Sequence, residues 1–330
     1  MQIGVDIGAL CGKRLGNYVF TNNLIESLKK FDKKNIYYLY SFCSKKKNFN
    51  LGKNLHFKKI LPKTNWIKWA VRYEEIKNKK DIFLGLNQSF PKSASKKIIF
   101  SHGLSFMLNK ELYPDSYLKM KNQVDKMLRS ADFIVVSSVK VKKEFESLYG
   151  RINKIRVMPF GIPFDFQDYK YTKKKKYFLN VGMNHNIKNI NYLVDRFKEF
   201  NTKNSAYKLY LITDKTYNIK DKNIVQLTNI SRNKLKKLFS QASAYICSSH
   251  YESFNFPILE ALSQNCHVIS LGSSVIPEMR EYVSIAKNKS DFIKQMNLSV
   301  NNVSKIDIKN LRKKFSWKKY VYELIQLYSS

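Results

Sequence analysis

Short, unbroken apolar runs alternate along the chain with stretches of helical spacing. Gln2–Asp6 suits a buried strand, and a loop follows with Gly8, Gly12, Gly16 and the basic pair Lys13 and Arg14. Residues 18–30 then place Phe20, Leu24, Ile25 and Leu28 on one helical face. Further apolar runs stand at 36–42, 55–60, 82–86, 98–100, 133–136 and 155–157, most of them separated by helical or irregular segments. Runs of this length suit strands covered on both faces, and their alternation with helices predicts a parallel, doubly wound α/β sheet. The pattern breaks at 159–176, where two prolines, a glycine and a lysine run predict a linker. A second series at 177–181, 207–212, 224–227, 244–247 and 267–270 repeats the scheme. The tail from Phe315 onward predicts an amphipathic helix through Tyr320, Leu324, Ile325 and Leu327. Two Rossmann-like halves with a cleft at their strand ends are therefore expected, and ligands favour such places.

Composition narrows this picture only a little. At 330 residues the chain has room for about two domains. Its net charge of +35 invites anionic partners. Yet the lysines are spread along the whole sequence beside Asn, Ile and Tyr, so the excess locates no partner by itself. No zinc knuckle or helix-turn-helix pattern is present, which counts against a nucleic-acid reader. Cys11, Cys43, Cys247 and Cys266 show neither metal-ligand spacing nor a paired framework, so a reduced, cytoplasmic compartment is the expectation. The N-terminal residues lack the order of a signal peptide, and no apolar run approaches the length of a membrane span. Residues 63–80 interleave Trp66, Ile67, Trp69, Ala70 and Tyr73 with basic residues. They read either as a crossover helix with its apolar side on the sheet or as a segment resting on an acidic membrane.

The stretch from 251 to 262, YESFNFPILEAL, places Glu252 and Glu260 eight residues apart. It reads as the loop and helix after the strand at 244–247, with Pro257 at the first helical position, where a missing N–H is harmless. A helix start offers N–H groups and a positive dipole end to a phosphate, and two acids beside it could hold hydroxyls. On this stretch alone, the favoured reading is a loop surface acid at Glu252 and a first-turn acid at Glu260. Taken singly, His102, Lys188 and Ser137 likewise have ordinary structural readings.

Several segments, in order and over most of the length, make the chain resemble the retaining GT-B glycosyltransferases of family 4. MQIGVDIGAL with GNYVFTNNL resembles the opening strand and glycine loop, and SHGLSFMLNKELYP the histidine motif. ADFIVVSSVKVKKEF and KIRVMPFGI resemble the end of the first domain, and VGMNHNIKNI the phosphate-binding loop. YESFNFPILEAL matches the E-x7-E signature, and FSWKKY resembles the closing helix.

The resemblance implies a GT-B fold with an acceptor-side domain at 1–165, to which a helix at 318–330 returns, a linker at 166–176 and a donor domain at 177–317. It implies catalytic roles for Glu252, near the reacting carbon of the donor sugar, and His102, beside that sugar. Gly16, Gly182, Lys188, Asn255, Phe256 and Glu260 are implied as donor-binding residues, with Lys188 on the diphosphate and Glu260 on the ribose. Arg14, His185 and Ser137 are further candidates. The implied activity is metal-independent sugar transfer from a nucleotide-diphosphate donor, of GDP-mannose or UDP-sugar type, to a growing surface glycan, lipid-linked as in lipopolysaccharide, O-antigen or capsule synthesis. No cofactor is expected, and a peripheral seat on the acidic inner leaflet is. The chain departs from the pattern at Met183 and Ile187, where a basic residue is common, at Ser253 and Asn255, where glycines are usual, and at Gly103, where an acid often follows the histidine. A GT-B scaffold with impaired catalysis is the alternative.

Overall fold

A computed structural model describes residues 1–13, 15–44, 51–169, 172–301 and 306–330. Arg14 falls outside them. The chain divides into two compact units, Met1–Phe160 with Ser316–Ser330, and Gly161–Phe315.

Unit 1 contains β1 (Gln2–Asp6), β2 (Ile36–Ser41), β3 (Leu55–Lys59), β4 (Ile82–Gly85), β5 (Lys96–Ser101), β6 (Phe133–Val136) and β7 (Ile155–Val157). They form one sheet in the order β3-β2-β1-β4-β5-β6-β7, and every pairing is parallel. The chain therefore winds one way from β1 to β3 and the other way from β4 onward, which sets a switch point between β1 and β4. The covering helices are α1 (Gly16–Phe31), α2 (Arg72–Lys77), α3 (Ser105–Leu108), α4 (Tyr117–Ser130) and α5 (Val139–Tyr149). The central strands are apolar on both faces because helices cover both. Ile3, Val5, Phe83, Ile98 and Ile99 are all closed to solvent.

The segment at 63–80 meets the expectation of a helix with its apolar side on the sheet only in part. A π turn, Ile67–Val71, runs into α2. Trp66, Ala70 and Val71 are buried, but Trp69, Tyr73 and Ile76 face outward. The acids turn inward instead. Glu75 accepts from Tyr40 Oη at 2.7 Å and Ser95 Oγ at 2.8 Å, and Glu74 pairs with Lys58 at 2.6 Å. Gly4 makes this possible: a Cβ there would stand 2.5 Å from Glu75 Oε1. The cysteines correct a second expectation. Cys11 and Cys43 form a disulfide with Cα atoms 5.8 Å apart. β1 and β2 are in register, and Ile7 N–H donates to Tyr40 O, so the turn after β1 meets the exit of β2. With that pair bonded, the cysteines give no ground for a reducing compartment. Cys247 and Cys266 are free and buried.

Unit 2 repeats the plan with β8 (Lys175–Val181), β9 (Lys208–Thr213), β10 (Ile224–Thr228), β11 (Ala242–Cys247), β12 (His267–Leu271) and β13 (Ser284–Ala286). Their order is β10-β9-β8-β11-β12-β13, all parallel, with the switch point between β8 and β11. α6 (Ile190–Asn201), α7 (Arg232–Gln241), α8 (Phe256–Ser263), α9 (Lys289–Asn301) and α10 (Ile308–Lys314) flank it. The last helix, α11 (Trp317–Ser329), belongs to unit 1. Trp317 and Tyr320 pack with Phe20 of α1 and with Phe160, and Tyr328 Oη lies 3.3 Å from Tyr37 Oη. No described helix is long and apolar enough to cross a membrane.

Candidate active site

Open parallel sheets bind ligands beyond the carboxyl ends of the strands at the switch point. In unit 2 that place is built from the loops after β8 and β11. The first loop runs through Gly182, Met183, Asn184 and His185 into a turn at Asn186–Lys188, and Asn189, with φ of 51°, swings the chain into α6. His185 Nδ1 accepts Ile187 N–H at 3.1 Å, so this histidine caps the turn. A Cβ on Gly182 would stand 3.3 Å from Lys188 Cδ and Cε, so the glycine leaves room for the lysine to fold back over the loop.

The second loop is locked to the first. His250 N–H donates to Ile187 O at 2.8 Å, and Ser248 Oγ lies 3.1 Å from Lys188 O and 3.0 Å from Asn189 O. Lys188 Nζ and Glu252 Oε1 then close to 2.6 Å, both largely shielded from solvent. Asn255 ends the loop with φ of 70° and caps α8, its Oδ1 accepting Ile258 N–H at 3.4 Å and its Nδ2 donating to Ser274 O at 3.2 Å. A residue that tolerates the left-handed region is needed here, and asparagine supplies it where the related motif has glycine. α8 opens at Phe256, so Pro257 is its second residue, not its first. Phe256 is buried edge-on to Phe254.

Glu260 lies in α8 and is 2 % exposed. Its Oε1 accepts from Arg232 Nη2 at 2.7 Å, while Arg232 Nε donates to Asp165 Oδ2 at 2.6 Å, and the guanidinium lies over the Phe166 ring. Burial pushes the Glu260 carboxyl up, and Arg232 pulls it back. Burial also opposes the charge on Arg232, but Glu260 and Asp165 outweigh it and hold the guanidinium protonated. Arg232 and Asp165 escaped the sequence reading. Their one local sign is Ser231, which caps α7 just before Arg232, and a cap does not reveal a partner 28 residues away.

Residues 175–302 match the family described as glycosyl transferases group 1. This group 1 segment contains both loops, Lys188, Glu252, Arg232 and Glu260. No curated protein matches the chain in sequence. Among solved structures, sucrose-phosphate synthase from Thermosynechococcus elongatus superposes with a TM-score of 0.77 at 13 % identity, covering 100 % of this chain and 98 % of that one. Alr3699/HepE of Anabaena, in complex with UDP and glucose, gives 0.75 at 12 % identity, covering 100 % and 99 %. WaaG, a glycosyltransferase involved in lipopolysaccharide biosynthesis, gives 0.66 at 12 % identity, covering 98 % and 94 %. The fold is that of the GT-B glycosyltransferases.

Outside the group 1 segment, the remaining candidates gather at the strand ends of unit 1. Gly16 opens α1, and a Cβ there would meet nothing within 4 Å. Ser137 follows β6 and is buried beside Ser138, which caps α5. His102 follows β5. Its Nε2 lies 2.7 Å from Leu86 O, and its ring packs edge-on against Phe20. Burial lowers its pKa to about 4, so the ring is neutral at physiological pH. Ile187 is buried and Met183 O accepts from Tyr217 Oη at 3.1 Å, so neither place offers a cation. Among the described residues, no group of three His, Cys, Asp or Glu side chains could hold a metal.

Proposed function

We propose that the protein is a retaining glycosyltransferase that moves a sugar from a nucleotide-diphosphate donor to a glycan acceptor carried on a lipid in surface-polysaccharide synthesis. The observation that carries this reading is the Lys188–Glu252 pair spanning the two switch-point loops. A diphosphate offers Lys188 more negative charge than one carboxylate, so donor binding draws the ammonium away from Glu252. Lys188 then neutralises the leaving group as charge builds on it. The released Glu252 accepts from the sugar hydroxyls beside the reacting carbon. Glu260, oriented by Arg232, presents its second carboxylate oxygen to the ribose. The acceptor hydroxyl enters on the face the diphosphate leaves, and the leaving oxygen takes its proton, so no protein nucleophile is needed. The structures that bind UDP or UDP-glucose in this fold support a nucleotide-sugar donor.

The test is release of nucleoside diphosphate from a panel of UDP- and GDP-sugars, with calorimetry of UDP and GDP binding alongside. Glu252→Gln should retain nucleotide binding and lose about a hundredfold or more in turnover. Turnover equal to the parent would remove Glu252 from the reacting centre. Absence of binding by either nucleotide would instead favour a scaffold without catalysis.

A further inference from the structure

Unit 1 holds a cavity of about 720 Å³ bounded by the π turn and α2, the segment after β4, and α4. Lys68, Arg72, Lys92, Lys97 and Lys126 line it, and among the described residues no carboxylate does. Arg72 Nε and Ser93 Oγ, both lining residues, are buried there without a hydrogen-bond partner in the protein. Lys97 Nζ is held beside them by Ser93 O at 2.8 Å and Ser95 O at 3.1 Å. A buried N–H and a buried hydroxyl left without a partner are unfavourable, and cations gathered without an acid repel one another. An anion of phosphate type relieves both, since a guanidinium fork matches its oxygens and a serine hydroxyl adds a donor.

The helix that supplies Lys68 and Arg72 shows a second unusual feature. Trp69, Tyr73 and Ile76, spaced to share one helix face, are 55 %, 66 % and 63 % exposed. Glu74 and Glu75 of the same helix are buried, the reverse of an ordinary surface helix. Lys68 Nζ stands 5.1 Å from the Trp69 ring, and exposed Lys77 and Lys79 close the row. Aromatic and aliphatic side chains flanked by lysines suit the boundary of an acidic bilayer.

We propose that this face of unit 1 seats a phosphate-headed lipid, with the phosphate in the cavity on Arg72, Ser93 and Lys97 and with Trp69, Tyr73 and Ile76 in the surrounding bilayer surface. The two features lie next to each other because residues 68 and 72 precede 69 and 73 by one position around one helix. The proposal goes beyond sugar transfer and does not need it, since the site lies wholly within unit 1 and its test reads binding.

Flotation of the full chain is compared on vesicles of phosphatidylcholine alone and of phosphatidylcholine mixed with phosphatidic acid, with calorimetry of inorganic pyrophosphate beside it. The parent should float only with phosphatidic acid. Arg72→Gln should weaken partitioning about tenfold, with Arg72→Lys between the two. The double variant Trp69→Ser/Tyr73→Ser should lose flotation with its thermal transition unchanged. Lys234→Gln in unit 2 removes the same charge elsewhere and should change little. Equal loss in Lys234→Gln and Arg72→Gln would reduce the effect to bulk charge and overturn the site. Tight pyrophosphate binding without flotation would overturn the lipid in favour of a soluble phosphate. Flotation indifferent to both the Arg72 and the Trp69/Tyr73 variants, or no binding of either probe, would overturn the proposal outright.

Discussion

Two buried groups in unit 1 should give opposing, nearly cancelling pH dependences that single substitutions expose. Asp6 ends β1, is 7 % exposed, and accepts Gly8 N–H at 2.8 Å. Burial raises its pKa from 3.8 to about 6, against the pull of that hydrogen bond. Between those values the folded chain holds a proton that the unfolded chain has lost, so stability falls as pH rises through the window. The full effect is about 3 kcal/mol. His102 does the reverse. Its folded pKa of about 4 lies below the ordinary 6.5, so the unfolded chain binds the extra proton and stability falls as pH drops from 6.5 toward 4. That effect is again about 3 kcal/mol. Asp6→Asn keeps an oxygen for Gly8 and removes the charge. At pH 7 it should be more stable than the parent by about 3 kcal/mol, a gain that vanishes below pH 3.8 and leaves the His102 slope bare. His102→Gln should show the opposite slope. Urea denaturation followed by tryptophan fluorescence reads this directly, because Trp66, Trp69 and Trp317 all lie in unit 1 with both groups. If Asp6→Asn gained nothing between pH 4 and 7, the Asp6 carboxylate would have to be solvated or paired, and the argument from its burial would fail.

Two further outcomes follow from unit 2. Arg232→Met strands the Glu260 carboxylate in the interior and should cost about 3–5 kcal/mol at neutral pH, while Arg232→Met/Glu260→Gln should recover a large part of it in denaturant titrations. Recovery absent from the double variant would show that Arg232 stabilises through its packing on Phe166 instead. Asn255→Ala combines a left-handed backbone with a lost cap and should cost about 2 kcal/mol. Asn255→Gly keeps the backbone free of strain while losing the cap and the bond to Ser274 O, as the alanine variant also does, and should cost about 1 kcal/mol. A glycine variant as unstable as the alanine one would mean that backbone conformation contributes nothing at this turn.

The sheets were legible in the sequence because parallel strands covered on both faces read as continuous apolar runs. The runs at 36–42, 82–86 and 133–136 became β2, β4 and β6 with ends shifted by at most one residue. β13 was not legible: three residues, Ser284–Ala286, at the sheet edge carry too little pattern. Periodicity also fails at α2, for a physical reason. It shows which residues share a face but not which face meets the core, and both faces there are apolar, Trp66 with Ala70 and Trp69 with Tyr73. The disulfide was hidden because parallel neighbours bring together positions 32 apart, and nothing in the local spacing of Cys11 and Cys43 announces it. The motif around Glu252 and Glu260 was readable as strand, loop and helix, whereas the cations that hold the two acids come from other loops, which a linear reading does not bring together.

The placement of those cations changes what the net charge of +35 means. At the switch point of unit 2 each carboxylate already has a partner, Lys188 for Glu252 and Arg232 for Glu260, and Arg232 is shared with Asp165. The candidate donor seat holds two cations against three carboxylates, so a diphosphate arriving at Lys188 would compete with Glu252 for it. Such an exchange favours a doubly charged ligand over a singly charged one and links arrival of the donor to release of Glu252. Among the described residues, the cavity of unit 1 has the opposite character: five cations line it with two buried polar atoms without partners and no acid. An anion entering it displaces nothing. Charge excess summed over a sequence cannot separate these two situations. The side-chain partners do: the cations at the unit 2 switch point are paired with acids, whereas those lining the unit 1 cavity meet no acid among the described lining residues.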